Sequence, residues 1–184
     1  VSDIYVQNQP DPKKVKIITT LENYTGTNQN GELTVSIHER SNPKAVLWNK
    51  TIPASVSNSS EIITVDAHVP QANLWEITTH KEIKSTNLYE VTVQFSSDNK
   101  RIVDNNTQRF GFRWFDVGEK GKDKRFYLNG KRVFITAAMT RGFWPTNGMF
   151  PTPDMAKREM NILFEMGFNL MNLHRAIGPP REFN

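Results

Sequence analysis

Hydrophobic and polar residues alternate with a period of two through the first two thirds of the chain. The clearest runs begin at Leu33, Ile63 and Tyr89, where apolar residues take every second position and polar residues lie between them. Such alternation is typical of strands that bury one face. With the segments VKIITTLENY, AVLWNKTI and RFGFRWFDV, the last taken as a single strand, the count is six or seven strands between about residues 15 and 117. The pattern predicts an antiparallel, immunoglobulin-like β-sandwich.

A different pattern follows residue 118. Asn129-Gly130 separates two short apolar runs and predicts a hairpin over residues 126–135, because both turn positions require a positive φ. The segment TPDMAKREMNILFEMG then predicts a helix, with Thr152 as cap, Pro153 in the first turn and Gly167 at the end. FNLMNL follows as a short strand. Strand, helix and strand in this order predict a βαβ unit with parallel strands.

Methionine is confined to this second part, since all six methionines follow residue 138. On the predicted helix, Ala156, Met160, Leu163 and Gly167 share one side, so we expect the methionines to pack in a core rather than to contact a cofactor. We therefore predict two domains, a sandwich over 1–117 and a second unit over 118–184.

Charge and composition exclude several classes of function. The net charge of +4 is spread over the 184 residues, without the mixture of basic and aromatic residues that binds nucleic acid, so we expect no nucleic-acid partner. No apolar run approaches a membrane span, and we expect no membrane partner. The chain has no cysteine and its four histidines are widely separated, so we expect neither a metal nor a cofactor. His38 and His68 fall on polar strand faces and are predicted to be surface residues.

Four Asn-x-Ser/Thr triplets fit the glycosylation pattern and weakly favour a periplasmic or extracellular location. They begin at Asn23, Asn49, Asn58 and Asn105.

Five short motifs, in this order and spacing, resemble glycoside hydrolase family 2, the group of β-galactosidases, β-glucuronidases and β-mannosidases. The motifs are Leu74-Trp75, Asn87-Leu88-Tyr89, Arg109-Phe110-Gly111-Phe112-Arg113, Leu128-Asn129-Gly130-Lys131 and Gly167-Phe168-Asn169. The resemblance covers nearly the whole chain. It implies an immunoglobulin-like domain followed by the start of a (β/α)8 barrel: hairpin, strand, helix and strand.

The resemblance also implies a retaining glycosidase that hydrolyses β-glycosides in the full-length enzyme. Both catalytic glutamates of the family come from later barrel strands, and a whole barrel needs about 250 residues. We therefore expect the chain to be a fragment of a longer enzyme, to contain no catalytic residue and to be inactive by itself.

Candidate substrate-binding residues follow the two predicted barrel strands. They are Arg141, Trp144, Asn172, His174 and Arg175, whose polar or aromatic side chains suit a neutral sugar. The family's strand endings resemble Arg-Gly-x-Asn-x-His and Asn-x-x-Arg-x-x-His, and this chain departs from both, so we assign no particular sugar. A plain alternative for His174 and Arg175 is a polar strand end that pairs with neighbouring loops.

Two alternatives to an enzyme fragment remain open: a non-catalytic immunoglobulin-like module that binds carbohydrate or protein, and an assembly domain. If the barrel is incomplete, its apolar face and strand edges need cover. We then expect residues 136–184 to be partly disordered, rearranged against the sandwich, or paired with another copy through the exposed barrel start.

Overall fold

The structure, a computed structural model, describes residues 1–57, 59–78, 86–98, 102–118, 124–140 and 152–173. The strands of the first part are β1 Asp3–Asn8, β2 Lys14–Glu22, β3 Gln29–Glu39, β4 Asn42–Val56, β5 Ser60–His68, β6 Tyr89–Ser97 and β7 Ile102–Phe110. The later elements are β8 Phe115–Val117, β9 Phe126–Leu128, β10 Lys131–Val133, β11 Ala137–Thr140, α1 Pro153–Glu165 and β12 Leu170–Leu173.

Strands β1 to β7 form two antiparallel sheets, of order β1-β2-β5 and β4-β3-β6-β7. Alternate side chains of both sheets fill the core between them. The most deeply buried aliphatic residues of the strands are Val15 and Ile17 of β2, Leu33, Val35 and Ile37 of β3, and Val91 and Val93 of β6. The predicted immunoglobulin-like sandwich is confirmed.

Strand β1 is an addition to the predicted elements. Ile4 is buried, Tyr5 is exposed and Val6 is half-buried, so the strand has only a short period-two pattern. It exists because it pairs with β2 along its whole length, with Val6 opposite Ile17. So short a sequence, with polar residues at both ends, could not predict this pairing.

The segment RFGFRWFDV is not the single strand that its alternation predicted. Strand β7 ends at Phe110, and the chain then leaves the β6 ladder. The N–H of Trp75 donates to the carbonyl of Phe112 (2.9 Å), and a Cβ at Gly111 would lie 3.0 Å from the Cβ of Trp75. Residues 111–114 therefore lie against the segment that contains Trp75. Phe112 is still fully buried, as the alternation predicted.

Tyr89 closes the corner before β6 through its hydroxyl group. The hydroxyl accepts a hydrogen bond from the backbone N–H of Asn73 (2.7 Å) and donates one to the carbonyl of the same residue (3.2 Å). The ring is 1% exposed and packs edge-on against Phe112, with centroids 5.0 Å apart. This is the tyrosine corner of immunoglobulin-like sandwiches. Burial raises the pKa of the Tyr89 phenol, and the negative charge of Glu39 adds to the rise, while the hydrogen bond from Asn73 opposes it.

Asn23 occupies one of the glycosylation-like triplets, but its amide nitrogen, the atom that would carry a glycan, is not accessible. Its side chain is buried, and its amide nitrogen donates to the carbonyls of Thr27, Val56 and Ser57 at 2.7 to 3.1 Å. Its Oδ1 accepts from the N–H of Thr25 (3.0 Å). Asn23 therefore ties a loop to the end of β4.

The predicted hairpin is confirmed as β9 and β10, which join β8 in a sheet of order β10-β9-β8. Asn129 and Gly130 have φ values of 52° and 78°, as the two-residue turn requires. The Asn129 side chain also makes two backbone hydrogen bonds. Its Oδ1 accepts from the N–H of Trp114 (2.9 Å), and its Nδ2 donates to the carbonyl of Trp75 (2.8 Å).

Helix α1 begins and ends as the sequence predicted. The hydroxyl of Thr152 accepts from the N–H of Met155 (3.3 Å), and Pro153 takes the first helical position. Gly167 has a φ of 83° just past the end, with its N–H bonded to the Phe164 carbonyl and that of Phe168 to the Leu163 carbonyl. These two bonds form a Schellman cap.

The expectation that the methionines pack in a core is wrong for this helix. Ala156 is its buried residue, whereas Met160 is 42% exposed and Met166 is 66% exposed. The apolar pattern defines which side of a helix seeks a partner, but burial also needs that partner. No helix in the described ranges is long and apolar enough to cross a membrane.

Two compact units divide the chain. One comprises Val1–Trp75, Asn87–Asp116 and Leu128–Gly130, and holds the two-sheet sandwich with its core. The other comprises Glu76–Thr86, Val117–Tyr127 and Lys131–Asn184, and holds β11, α1 and β12. The predicted boundary between residues 117 and 118 stays a prediction.

Candidate functional site

The site that the sequence indicated begins at the carboxyl ends of β11 and β12. These strands pair in parallel, from Ala137 opposite Leu170 to Thr140 opposite Leu173. The predicted parallel βαβ unit is thus confirmed. Since parallel strands end at the same edge of a sheet, the last residues of the two strands, Thr140 and Leu173, lie side by side.

The two faces of this strand pair differ in burial. Ala138 and Met171, which are opposite each other, are half-buried. Met139 and Asn172, the next opposed pair, are both exposed. Asn172 therefore presents its amide on the open face, one residue before the end of β12.

Asn172 is the candidate substrate-binding residue that the described ranges contain. Arg141, Trp144, His174 and Arg175 lie outside the described residues.

The chain reaches this edge through the turn after α1 and through Asn169. The backbone N–H of Asn169 donates to the Thr136 carbonyl (2.9 Å), and its Oδ1 accepts from the Thr136 N–H (2.9 Å). Its Nδ2 donates to the Phe134 carbonyl (2.7 Å). In the sequence, Asn169 stands out only as part of a family motif, and that motif gives no sign of these three hydrogen bonds.

A small pocket lies between α1 and β12. Its volume is about 140 Å³ and its lining is mainly apolar. The lining residues are Met160, Leu163 and Phe164 of α1, then Phe168, Leu170 and Met171, together with the polar Thr78 and Asn169. Few of these groups can bond to sugar hydroxyls, so the pocket suits apolar packing better than carbohydrate binding.

Between residues 137 and 173, the acidic residues lie on α1 rather than on β11 or β12. Asp154 is exposed in the first turn, Glu165 is exposed in the last turn, and Glu159 lies between them. Strands β11 and β12 have the sequences AAMT and LMNL, without a carboxyl group. Among the described residues, no group of three or more acidic or histidine side chains is arranged to hold a metal ion.

Comparison with known proteins identifies relatives that are much longer than this chain. A curated protein of Formosa agariphila named "Putative beta-glucuronidase" is 30% identical over 87 residues, which are 47% of this chain and 10% of that protein. The crystal structure of Bacteroides uniformis beta-glucuronidase matches 98% of this chain and 21% of its own, with a TM-score of 0.75 and 20% identity. A glycosyl hydrolase family 2 member from Bacteroides cellulosilyticus matches 98% of this chain and 22% of its own, with a TM-score of 0.78 and 18% identity.

At these identities the two structures establish the fold. The chain spans about a tenth of the curated relative and about a fifth of each structure. The family described as "Glycosyl hydrolases family 2" matches residues 1–113, more than half of the sequence. The chain therefore belongs to glycosyl hydrolase family 2.

Proposed function

We propose that the polypeptide to which this chain belongs is a retaining glycosidase that hydrolyses β-glycosides. The observation that supports this most is the parallel pairing of β11 and β12, in a chain of this family, because it sets two strand ends at one edge. In (β/α)8 enzymes the active site is built at that edge, from the loops that follow the strands.

In this proposal the chain supplies one wall of a sugar pocket. Asn172 offers an amide on the open face of β12, and Arg141, Trp144, His174 and Arg175 follow the paired strand ends. Amide, imidazole and guanidinium groups can bond to sugar hydroxyls, and an indole ring can stack on a sugar face. We assign no particular sugar.

The catalytic carboxyl groups belong to other strands of the longer polypeptide. A retaining glycosidase needs two carboxyl groups about 5 to 5.5 Å apart, one as nucleophile and one as acid and base. Strands β11 and β12 offer none, and the acids between them in sequence lie on α1 rather than on a strand. We therefore propose that residues 1–184 contain no catalytic residue and are inactive by themselves.

The test compares the full-length polypeptide with the 1–184 chain on a panel of aryl β-glycosides, including glucuronides and galactosides, with the α-anomers as controls. We expect the full-length protein to hydrolyse a β-glycoside with retention, read by NMR of the first-formed anomer, and the 1–184 chain to be inactive. Hydrolysis by the purified 1–184 chain, or an inverted product, would contradict the proposal.

A matched pair of variants tests the proposed role of Asn172. In the full-length protein, Asn172→Ala removes the amide from the open strand face, whereas Asn161→Ala removes an amide from an exposed position of α1. We expect Asn172→Ala to lower kcat/KM roughly tenfold, the effect of one lost hydrogen bond of about 1.4 kcal/mol. Asn161→Ala should leave it unchanged. Equal activity of the two variants would remove Asn172 from the site.

The alternative of a non-catalytic module is supported by the sandwich itself, whose two sheets enclose a continuous core. Such a module would bind carbohydrate or protein without hydrolysis. Failure of the full-length protein on the whole panel, together with measurable glycan binding by the 1–184 chain, would favour this alternative.

Self-association is proposed for the 1–184 chain because the unit that holds β11, α1 and β12 exposes large apolar side chains. Phe134 is 71% exposed, and Met139, Ile162, Met166 and Leu170 are also exposed. Sedimentation velocity should show a concentration-dependent dimer or larger species. A monomer at all concentrations would contradict this proposal without affecting the proposed enzymatic function.

A further inference from the structure

The parallel pair β11 and β12 has little backbone pairing to define its register. Each strand has four residues, and the register runs over four opposed pairs. A shift by one residue would move every side chain to the opposite face of its strand. Asn172 would then leave the open face, and Met171 would replace it.

The side chain of Asn169 adds two hydrogen bonds to the neighbouring strand segment, just before the first of these pairs. Its Oδ1 and Nδ2 bond to the Thr136 N–H and the Phe134 carbonyl, at 2.9 and 2.7 Å. The side-chain amide thus accepts and donates as a peptide group of a neighbouring strand does. Because the backbone N–H and carbonyl groups of neighbouring residues in an extended strand point to opposite sides, a shift by one residue would break both bonds.

Two further bonds end on the same residue. The N–H groups of Asn169 and Leu170 both donate to the Thr136 carbonyl, at 2.9 and 3.3 Å. The Schellman cap at Gly167 fixes the direction in which the chain arrives. Thr136 is therefore held through both its N–H and its carbonyl, directly before β11 begins.

We propose that Asn169 is a positioning residue, which sets the register of β12 against β11 and so places Asn172 on the open face at the candidate sugar site. The proposal rests on the proposed function for its effect on activity. The hydrogen bonds that carry it are independent of that function.

The test uses the full-length polypeptide with Asn169→Ala and with Asn161→Ala as the matched control on α1. We expect Asn169→Ala to lower kcat/KM at least about tenfold, since a misplacement of 1 Å in an active site can cost roughly 100-fold. Amide hydrogen exchange, read by mass spectrometry on peptides that contain Thr136, should become faster. Asn161→Ala should change neither quantity.

A double-variant cycle separates positioning from a general loss of stability. If Asn169 acts by placing Asn172, the double variant Asn169→Ala, Asn172→Ala should lose less activity than the product of the two single effects. Multiplicative losses, or unchanged exchange at Thr136, would overturn the proposal. Should Asn169→Ala fail to fold, Asn169→Asp keeps the shape and the acceptor for the Thr136 N–H but places a charged oxygen against the Phe134 carbonyl, and it must lower kcat/KM with the same dependence on Asn172. If the wild-type protein hydrolyses no glycoside, the proposed function fails, and the exchange measurement still decides the role of Asn169.

Discussion

Tyr89→Phe removes a single hydroxyl group and should weaken the sandwich measurably. The lost hydroxyl accepts from the N–H and donates to the carbonyl of Asn73, at 2.7 and 3.2 Å, and the ring keeps its packing against Phe112. A net loss of about 2 kcal/mol is expected, because the backbone groups of Asn73 lose a partner in a partly buried place. For a unit of this size that corresponds to a fall in Tm of roughly 5 to 10 °C.

The matched control is Tyr5→Phe on β1. Tyr5 is 55% exposed. Removing its hydroxyl group by this substitution should therefore change the free energy of unfolding by less than about 0.5 kcal/mol. Urea unfolding of the 1–184 chain, followed by far-UV circular dichroism, gives both free energies of unfolding. Equal values for the two variants would refute the account of the Tyr89 corner.

The raised pKa of Tyr89 adds a pH dependence with a definite sign. Burial holds the folded-state pKa of the phenol above its unfolded value of about 10. The neutral phenol is therefore favoured by folding, and its contribution is complete below about pH 10 and is lost as the pH rises through the folded-state pKa. Stability of the wild type should fall over this alkaline range, and Tyr89→Phe should lack that part of the fall. If the free energy of unfolding falls with pH equally steeply in the wild type and in Tyr89→Phe, the raised pKa of Tyr89 is not the cause of the fall.

Three further substitutions test other parts of the fold. Gly31→Ala should lower the urea midpoint strongly, because a Cβ there would lie within van der Waals overlap of the Ser96 backbone carbonyl; an unchanged midpoint would show that β3 and β6 separate at little cost. Asn129→Asp keeps the acceptor for the Trp114 N–H but loses the donor to the Trp75 carbonyl, so it should destabilise by about 1 to 2 kcal/mol in urea unfolding, and wild-type stability would contradict it. Thr152→Ala should cost α1 about 1 kcal/mol, seen as faster amide exchange in the first turn of the helix, and unchanged exchange there would exclude a capping role.

Alternation was sufficient to predict the sandwich, because its inward positions are mostly apolar, with Thr19 of β2 as a buried polar exception. Leu33, Val35 and Ile37 are all fully buried, as their period-two spacing implies. Strand β7 shows the limit of this signal. Its sequence IVDNNTQRF is mostly polar, and it forms a strand because β6 offers it a ladder. Pairing of that kind is a tertiary effect that local sequence does not encode.

The helix after the sandwich shows which part of a pattern is local. Thr152, Pro153 and Gly167 act within a few residues of themselves, and all three took the predicted positions. The methionine pattern depends instead on what covers the helix, and there the prediction was wrong.

For the candidate site, the order strand, helix and strand predicted the parallel pair. The sequence did not predict the side-chain hydrogen bonds of Asn169 next to that pair. Asn129 and Asn169 form the same pattern of hydrogen bonds: each side-chain amide accepts from one backbone N–H and donates to one backbone carbonyl. In both cases the partners are distant in sequence from the asparagine. A motif such as Gly-Phe-Asn indicates that an asparagine stands at a strand entry, and the geometry shows what it does there.

The two compact units differ in how completely they use their apolar residues. In the sandwich, the alternating residues of both sheets cover one another in a continuous core. In the unit with β11, α1 and β12, Met139, Met160 and Met166 are exposed. Exposed apolar side chains grouped in this way are characteristic of a surface that packs against a further element. In the proposed glycosidase, further strands of the longer polypeptide would cover the open face of β11 and β12. Asn172, which lies on that face, would then face the interior of the proposed catalytic domain.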